Sequence, residues 1–135
     1  MANALYDAGR EGFLGGTIDW DTNNIRVTLV DAADYTRNLG TDNAYNDVIA
    51  LGRVATSSNL SSKTITAGVA DAADITYTAV SGDQSEYLVG WADSGVESTS
   101  LLIFCIDTAT GLPVTPNGGD ITVTWDSGAN RIFKL

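Results

Sequence analysis

Seventeen carboxylates, one thiol and no imidazole make up most of the reactive inventory of this sequence. The absence of histidine removes Ser-His-Asp and Cys-His nucleophile pairs, imidazole general bases and the commonest zinc sites together. Paired carboxylates can still hydrolyse glycosides, but one of the two must be raised in pKa by an apolar pocket. Nearly all the acids fall in expected turns, and none is singled out for such a pocket. No catalytic residue is named on these grounds, and the chain is read as a non-enzyme.

Binding chemistry has more candidates. Asp19, Asp21 and Asn23 match the opening of a calcium loop, in which oxygens at alternate positions turn toward one hard cation. The match then fails, because Asn24 stands where the loop needs its turning glycine and Val30 where it needs a bidentate Glu. A solvated hairpin turn is the favoured reading, with weak Ca²⁺ binding among the acidic loops left open. The glycines from Gly9 to Gly16 and at Gly118 and Gly119 lack a following Gly-Lys-Ser/Thr, so they read as helix stops and turns rather than a phosphate cradle. No cofactor or metal is therefore assigned. Trp20, Trp91 and Trp125, with five tyrosines, could form an aromatic platform for sugar rings, although core packing is favoured because each lies in or beside an expected strand. Cys105, the single cysteine, sits inside the apolar run Leu101 to Ile106 and reads as a buried, unreactive thiol.

The elements that must position these residues are mostly strands. Asn3 is placed to cap a helix from about Ala4 to Leu14, with Asp7 in its first turns, Leu5, Ala8, Gly12 and Phe13 near one face, and Gly15 and Gly16 ending it. From Thr17 the period becomes two. Ile18 and Trp20, a polar turn at Asp21 to Asn24, then Ile25, Val27 and Leu29 read as a hairpin. Tyr45, Val48 and Ile49 mark one or two helical turns after a candidate cap at Asp42. Strands are expected at Arg53 to Thr56, Lys63 to Thr66, Ile75 to Val80, Glu86 to Trp91, Leu101 to Ile106, Ile121 to Trp125 and Arg131 to Phe133, the last two forming a C-terminal hairpin through Asp126 to Asn130. Leu101 to Ile106 is apolar on both faces, so it is covered either by an opposing sheet and the first helix, which is favoured, or by another subunit. Asp-Ala-Ala-Asp occurs at Asp31 to Asp34 and again at Asp71 to Asp74, each time leading toward an expected strand, at Tyr35-Thr36 and at Ile75-Thr76.

These elements predict a mainly β fold: an antiparallel β-sandwich or flattened barrel with a short N-terminal helix. One domain spans 1–135, with an arm and helix at 1–16 and the β domain at 17–135. The 135-residue length is sufficient for one core without staples. A net charge of -10 repels phosphate backbones and anionic lipid heads, so neither nucleic acid nor membrane is expected as a partner. The sequence shows no basic, apolar leader and no run long enough to span a bilayer.

The opening Met1-Ala-Asn-Ala-Leu-Tyr-Asp-Ala-Gly-Arg-Glu-Gly-Phe-Leu14, with Ile-Asp-Trp-Asp at 18 to 21, resembles a family of small virion-associated proteins of tailed bacteriophages. The stretch from Asp107 through Gly-Leu-Pro-Val-Thr-Pro-Asn-Gly-Gly-Asp to Trp125 and Asp126 resembles it too. The similarity runs nearly end to end and is least specific over Arg37 to Leu51. It implies a structural component of the virion, made in the host cytoplasm, with no catalytic residues. By analogy with small acidic β-rich particle proteins, the expected role is a capsid decoration or cement protein on the exterior of the head, binding capsid protein across subunits and acting as a homo-oligomer. A tail or neck component and a carbohydrate-binding module of an adhesion apparatus are the alternatives. The N-terminal arm, Arg37 to Leu51 and the Leu112 to Asp120 loop are the candidate contact segments.

Overall fold

The computed structural model describes residues 3–135; Met1 and Ala2, the first positions of the expected arm, lie outside the described residues. In chain order the elements are β1 (Ala4–Leu5), α1 (Asp7–Leu14), β2 (Ile25–Val30), 3-10 turns at Tyr45–Asp47 and Ala50–Gly52, β3 (Arg53–Thr56), β4 (Thr64–Thr66), β5 (Val69–Asp71), β6 (Ile75–Tyr77), β7 (Tyr87–Ala92), a 3-10 turn at Glu97–Thr99, β8 (Leu102–Ile106), β9 (Ile121–Val123) and β10 (Phe133–Lys134). A five-stranded antiparallel sheet in the order β1-β8-β7-β2-β3 forms one layer. The facing layer is made of two ribbons, β6-β9 and β10-β5-β4. The fold is mainly β and sandwich-like with one short helix, as the alternating patterns predict. No helix among the described residues is long and apolar enough to cross a membrane.

The five-stranded sheet is buried on both faces. Ile25, Val27, Leu29, Leu88 and Phe104 pack against Ala70, Ile75, Tyr77 and Trp125 of the second layer. On the other face Val30, Val89, Trp91, Leu102 and Cys105 lie under Tyr6, Tyr35, Tyr45 and Val48. Both-sided burial of Leu101 to Ile106 is thus met within the chain, by the second layer on one side and the helix and 35–48 segment on the other. Two glycines make the close approaches. A β-carbon at Gly9 would sit 2.8 Å from the Ile103 Cα and the Leu102 carbonyl oxygen, so α1 rests its backbone directly on β8. At Gly90 a β-carbon would sit only 2.1 Å from the nearest ring carbon of Phe104, which lies across the strand at that point.

Several expected elements are built differently. The helix begins at Asp7, and Asn3 does not cap it. Instead Ala4–Leu5 pairs with β8, whose outer edge would otherwise carry unpaired backbone groups, while the Asn3 side chain accepts from the Asp107 and Thr108 N–H groups at 2.8 and 2.9 Å. The helix N-terminus is satisfied by the chain around it: Tyr6 N–H donates to the Ile103 carbonyl and Asp7 N–H to that of Leu39, both at 2.9 Å. Only the second half of the Thr17 to Leu29 hairpin is a strand, because Thr17 and Ile18 spend their N–H groups on the Gly12 carbonyl and Asp19 donates to the Asn23 side chain. Tyr35-Thr36 is not a strand either. Asp42 caps no turn; its carboxylate accepts from the Tyr35 hydroxyl at 2.6 Å and the Asn38 N–H at 2.8 Å. The C-terminal hairpin does not form: β9 pairs with β6, held at its end by Trp125 N–H on Asp74, and β10 pairs with β5. The sequence reading missed β5, which returns from β4 through Ala67 and Gly68, both at positive φ.

Because the Phe104 ring occupies the space above Gly90, Gly90→Ala must displace either the ring or the strand. A loss of about 1–3 kcal/mol or more is expected in urea unfolding. Combined with Phe104→Leu it should cost less than the two single changes added together.

Candidate functional site

The residues singled out from the sequence are scattered, and most are structural. Trp20, Trp91 and Trp125 are 3%, 5% and 9% exposed, so no tryptophan ring is left for a sugar platform. Each indole N–H has an internal acceptor: the Asp71 carbonyl, Thr28 Oγ1 and the Ala73 carbonyl, at 3.1, 3.0 and 3.1 Å. Asp19 and Asp21 hydrogen-bond each other in an exposed turn, which lowers the Asp19 pKa and raises that of Asp21. The cation facing this turn is internal, since the Lys63 ammonium donates to the Asn23 carbonyl. The two Asp-Ala-Ala-Asp repeats adopt different conformations. In the first, Asp31 accepts from the Ala33 N–H at 2.8 Å in a local turn. In the second, Asp71 ends β5. The first repeat does bring Asp31 and Asp34 together with Asp83, one carboxylate oxygen of each within 4.8 Å of the others. Sequence reasoning did not group these three, because Asp83 arrives from a distant loop.

Arg37 to Leu51 divides into an inward and an outward part. Arg37 is buried, pairing with Asp107 at 3.3 Å where the side chains are only 2% and 9% exposed. Tyr45 stacks on Trp91 with ring centroids 3.8 Å apart, and its hydroxyl joins Thr28 and Thr56 in a polar cluster. Ile49 and Leu51 alone are large exposed apolar side chains in this segment. Beneath it, burial pushes the Cys105 thiol from 9.0 up to about 11, so the thiol is neutral and inert.

A large concavity opens between the two ribbons of the second layer. It has a volume of about 1090 Å³ and runs between residues 121–126 of the β9 side and 130–134 of the β10 side. Leu29, Leu88, Phe104 and Ile106 form its floor, and Leu112 and Val114 come from the loop after β8. The N-terminal Asn3, Ala4 and Leu5 close one end. Two of the three candidate contact segments, the arm and the Leu112 to Asp120 loop, therefore meet at one groove. The loop is tied back by the Ser85–Val114 bridge and by reciprocal bonds of Val80 with Gly118 and Gly119. The volume lies at or above the range of ordinary small-molecule pockets, about 300–1,000 Å³.

No protein-family model and no curated protein matches this sequence. What the groove can do is therefore read from its own chemistry: an apolar floor with polar strand edges on either side.

If the tryptophans are core residues, Trp91→Ala and Trp125→Ala should each lower stability by about 3–5 kcal/mol in denaturant titrations, with native emission blue-shifted. Burial also raises the pKa values of Tyr6, Tyr35 and Tyr77. These groups and Cys105 lose protons first in the unfolded chain, so their contribution to stability is present below the ordinary values and lost above them. The melting temperature should stay level from neutrality to the ordinary thiol value of 9.0 and fall as pH rises through about 11, with part of the fall removed in Cys105→Ala.

Proposed function

We propose that this protein is a non-enzymatic structural component of a tailed-phage particle, and within that class a capsid decoration protein on the outside of the head. The observation that carries the reading is the convergence of the two stretches that bear the resemblance. Asn3 binds the backbone of Asp107 and Thr108, β1 pairs with β8, and both stretches line the same groove. Segments far apart in the chain thus contribute to a single exposed surface, as a contact site between subunits requires. The burial of all three tryptophans supports assembly over the sugar-binding alternative.

A decoration protein that touches more than one capsid subunit binds the assembled shell better than the open one, and by linkage it stabilises the assembled state. Many equal copies multiply a modest local affinity. The net charge of -10 suits an exterior position, where it favours solubility before docking and repulsion between finished particles, and is unfavourable beside packaged DNA. Quantitative mass spectrometry of separated heads and tails tests the proposal. A copy number that scales with capsid subunits in the head fraction, and earlier DNA release on heating particles that lack the protein, are the expected results. Recovery with tails alone, or at a few copies per particle, would replace decoration by a tail or neck role.

A further inference from the structure

The second layer of the sandwich is interrupted where the groove lies. Among the described residues β9 pairs only with β6 and β10 only with β5, so each ribbon presents one free edge to the groove. The direction of the backbone groups follows from the neighbouring bonds. Trp125 N–H donates to Asp74 on the β6 side, and the Gly119 carbonyl accepts from Val80 on the same side. Strand backbone groups alternate, so Thr122 turns its N–H and C=O away from β6, toward the groove. Leu135 N–H donates to the Gly68 carbonyl at the β5 end, which by the same alternation puts the Lys134 backbone groups on the groove side. Two unpaired edges flanking an apolar floor are a template for an added strand.

The charges around the groove indicate what such a strand would carry. Three of the seven basic residues, Arg10, Arg131 and Lys134, line it, against one of the seventeen acids, Asp126. In a chain of net charge -10 this lining is locally rich in base, and with the paired Asp7 and Asp71 counted it sets three cations against three carboxylates. Arg10 pairs with Asp7 at 3.1 Å and also donates to the Leu5 carbonyl at 3.2 Å, and Arg131 pairs with the partly exposed Asp71 at 3.8 Å; water screens both ion pairs.

We propose that the groove receives an extended, acidic segment of another polypeptide as a strand between β9 and β10, joining the two ribbons into one continuous layer. Main-chain bonds to Thr122 and Lys134 would supply affinity, alternate apolar side chains would meet Phe104, Leu88 and Ile106, and carboxylates would face the basic rim. The inference deepens the particle reading by naming the kind of contact, but its test does not depend on that reading.

The probe is a synthetic peptide of about eight residues, a common strand length, alternating Val and Thr with Glu at both ends. A Lys-ended version and a version with a central Pro serve as comparisons. With the full chain, the Glu-ended peptide should bind saturably, change Trp125 emission and slow amide exchange at Thr122 and Lys134. Binding should weaken at least tenfold for the Lys-ended peptide, disappear for the Pro version, and reverse its charge preference in R131E/K134E, with the far-UV dichroism spectrum of the parent chain retained. Unaltered exchange at Thr122 and Lys134 under excess peptide, or equal binding of the Pro version, would overturn the inference. Peptide binding by a protein found in no particle would sink the particle role alone, and a head protein that ignores the peptide would sink the groove alone.

Discussion

The ring of Phe104 lying across Gly90 is the contact on which the two-layer arrangement depends. It places the largest side chain of β8 over a strand position with no side chain, so the ring reaches into the second layer instead of being lifted by its neighbour. There it meets Trp125 edge-on at 6.3 Å and Phe133 at 6.0 Å, one from each ribbon. A single residue of the main sheet thus touches both halves of the interrupted layer and forms the floor between them. The groove is a consequence of that spacing, since the ribbons are held by a shared apolar contact and not by hydrogen bonds to each other.

The opposite face is held by polar contacts that only a well-fixed sheet can offer. Thr28, fully buried, receives the Trp91 indole N–H and meets the hydroxyls of Tyr45 and Thr56. Tyr45 is in turn clasped between Trp91 and the Arg53 guanidinium, whose carbon lies 3.9 Å from the ring centroid. Tyr6 and Tyr35 share a hydroxyl bond at 2.9 Å, continued from Tyr35 to Asp42. These networks fix the 35–48 segment in place without regular secondary structure, because the Trp91 indole and the Tyr6 and Tyr35 hydroxyls each find a partner within them.

These two faces leave different surfaces available for assembly. The 35–48 segment is committed to the fold, whereas the arm, the loop after β8 and the free edges of β9 and β10 meet where the second layer is incomplete. An assembly protein with such a surface can recognise a partner by main-chain bonding with little change in its own structure, which suits the proposed role on a multi-copy shell.

The sequence by itself determined the class of the fold and much of its core. Alternation locates β3, β4, β6, β7, β8 and β9 to within a few residues, the double-faced run at Leu101 to Ile106 announces burial on both sides, and the three tryptophans and Cys105 sit inside as their apolar phase requires. These are local signals, because alternation depends on the pleat and not on the neighbour. Other features were decided only by the tertiary structure. Ala4–Leu5 became a strand because β8 had an open edge, Thr17 to Trp20 lost its strand to bonds with Gly12 and Asn23, and β9 and β10 took β6 and β5 as partners instead of each other. The β4–β5 turn was hidden because Ala67 stands where Asn or Gly would have signalled positive φ. The groove was hidden for the same reason as the pairings: a free edge is defined by which strand is absent beside it, and no local run of residues encodes that.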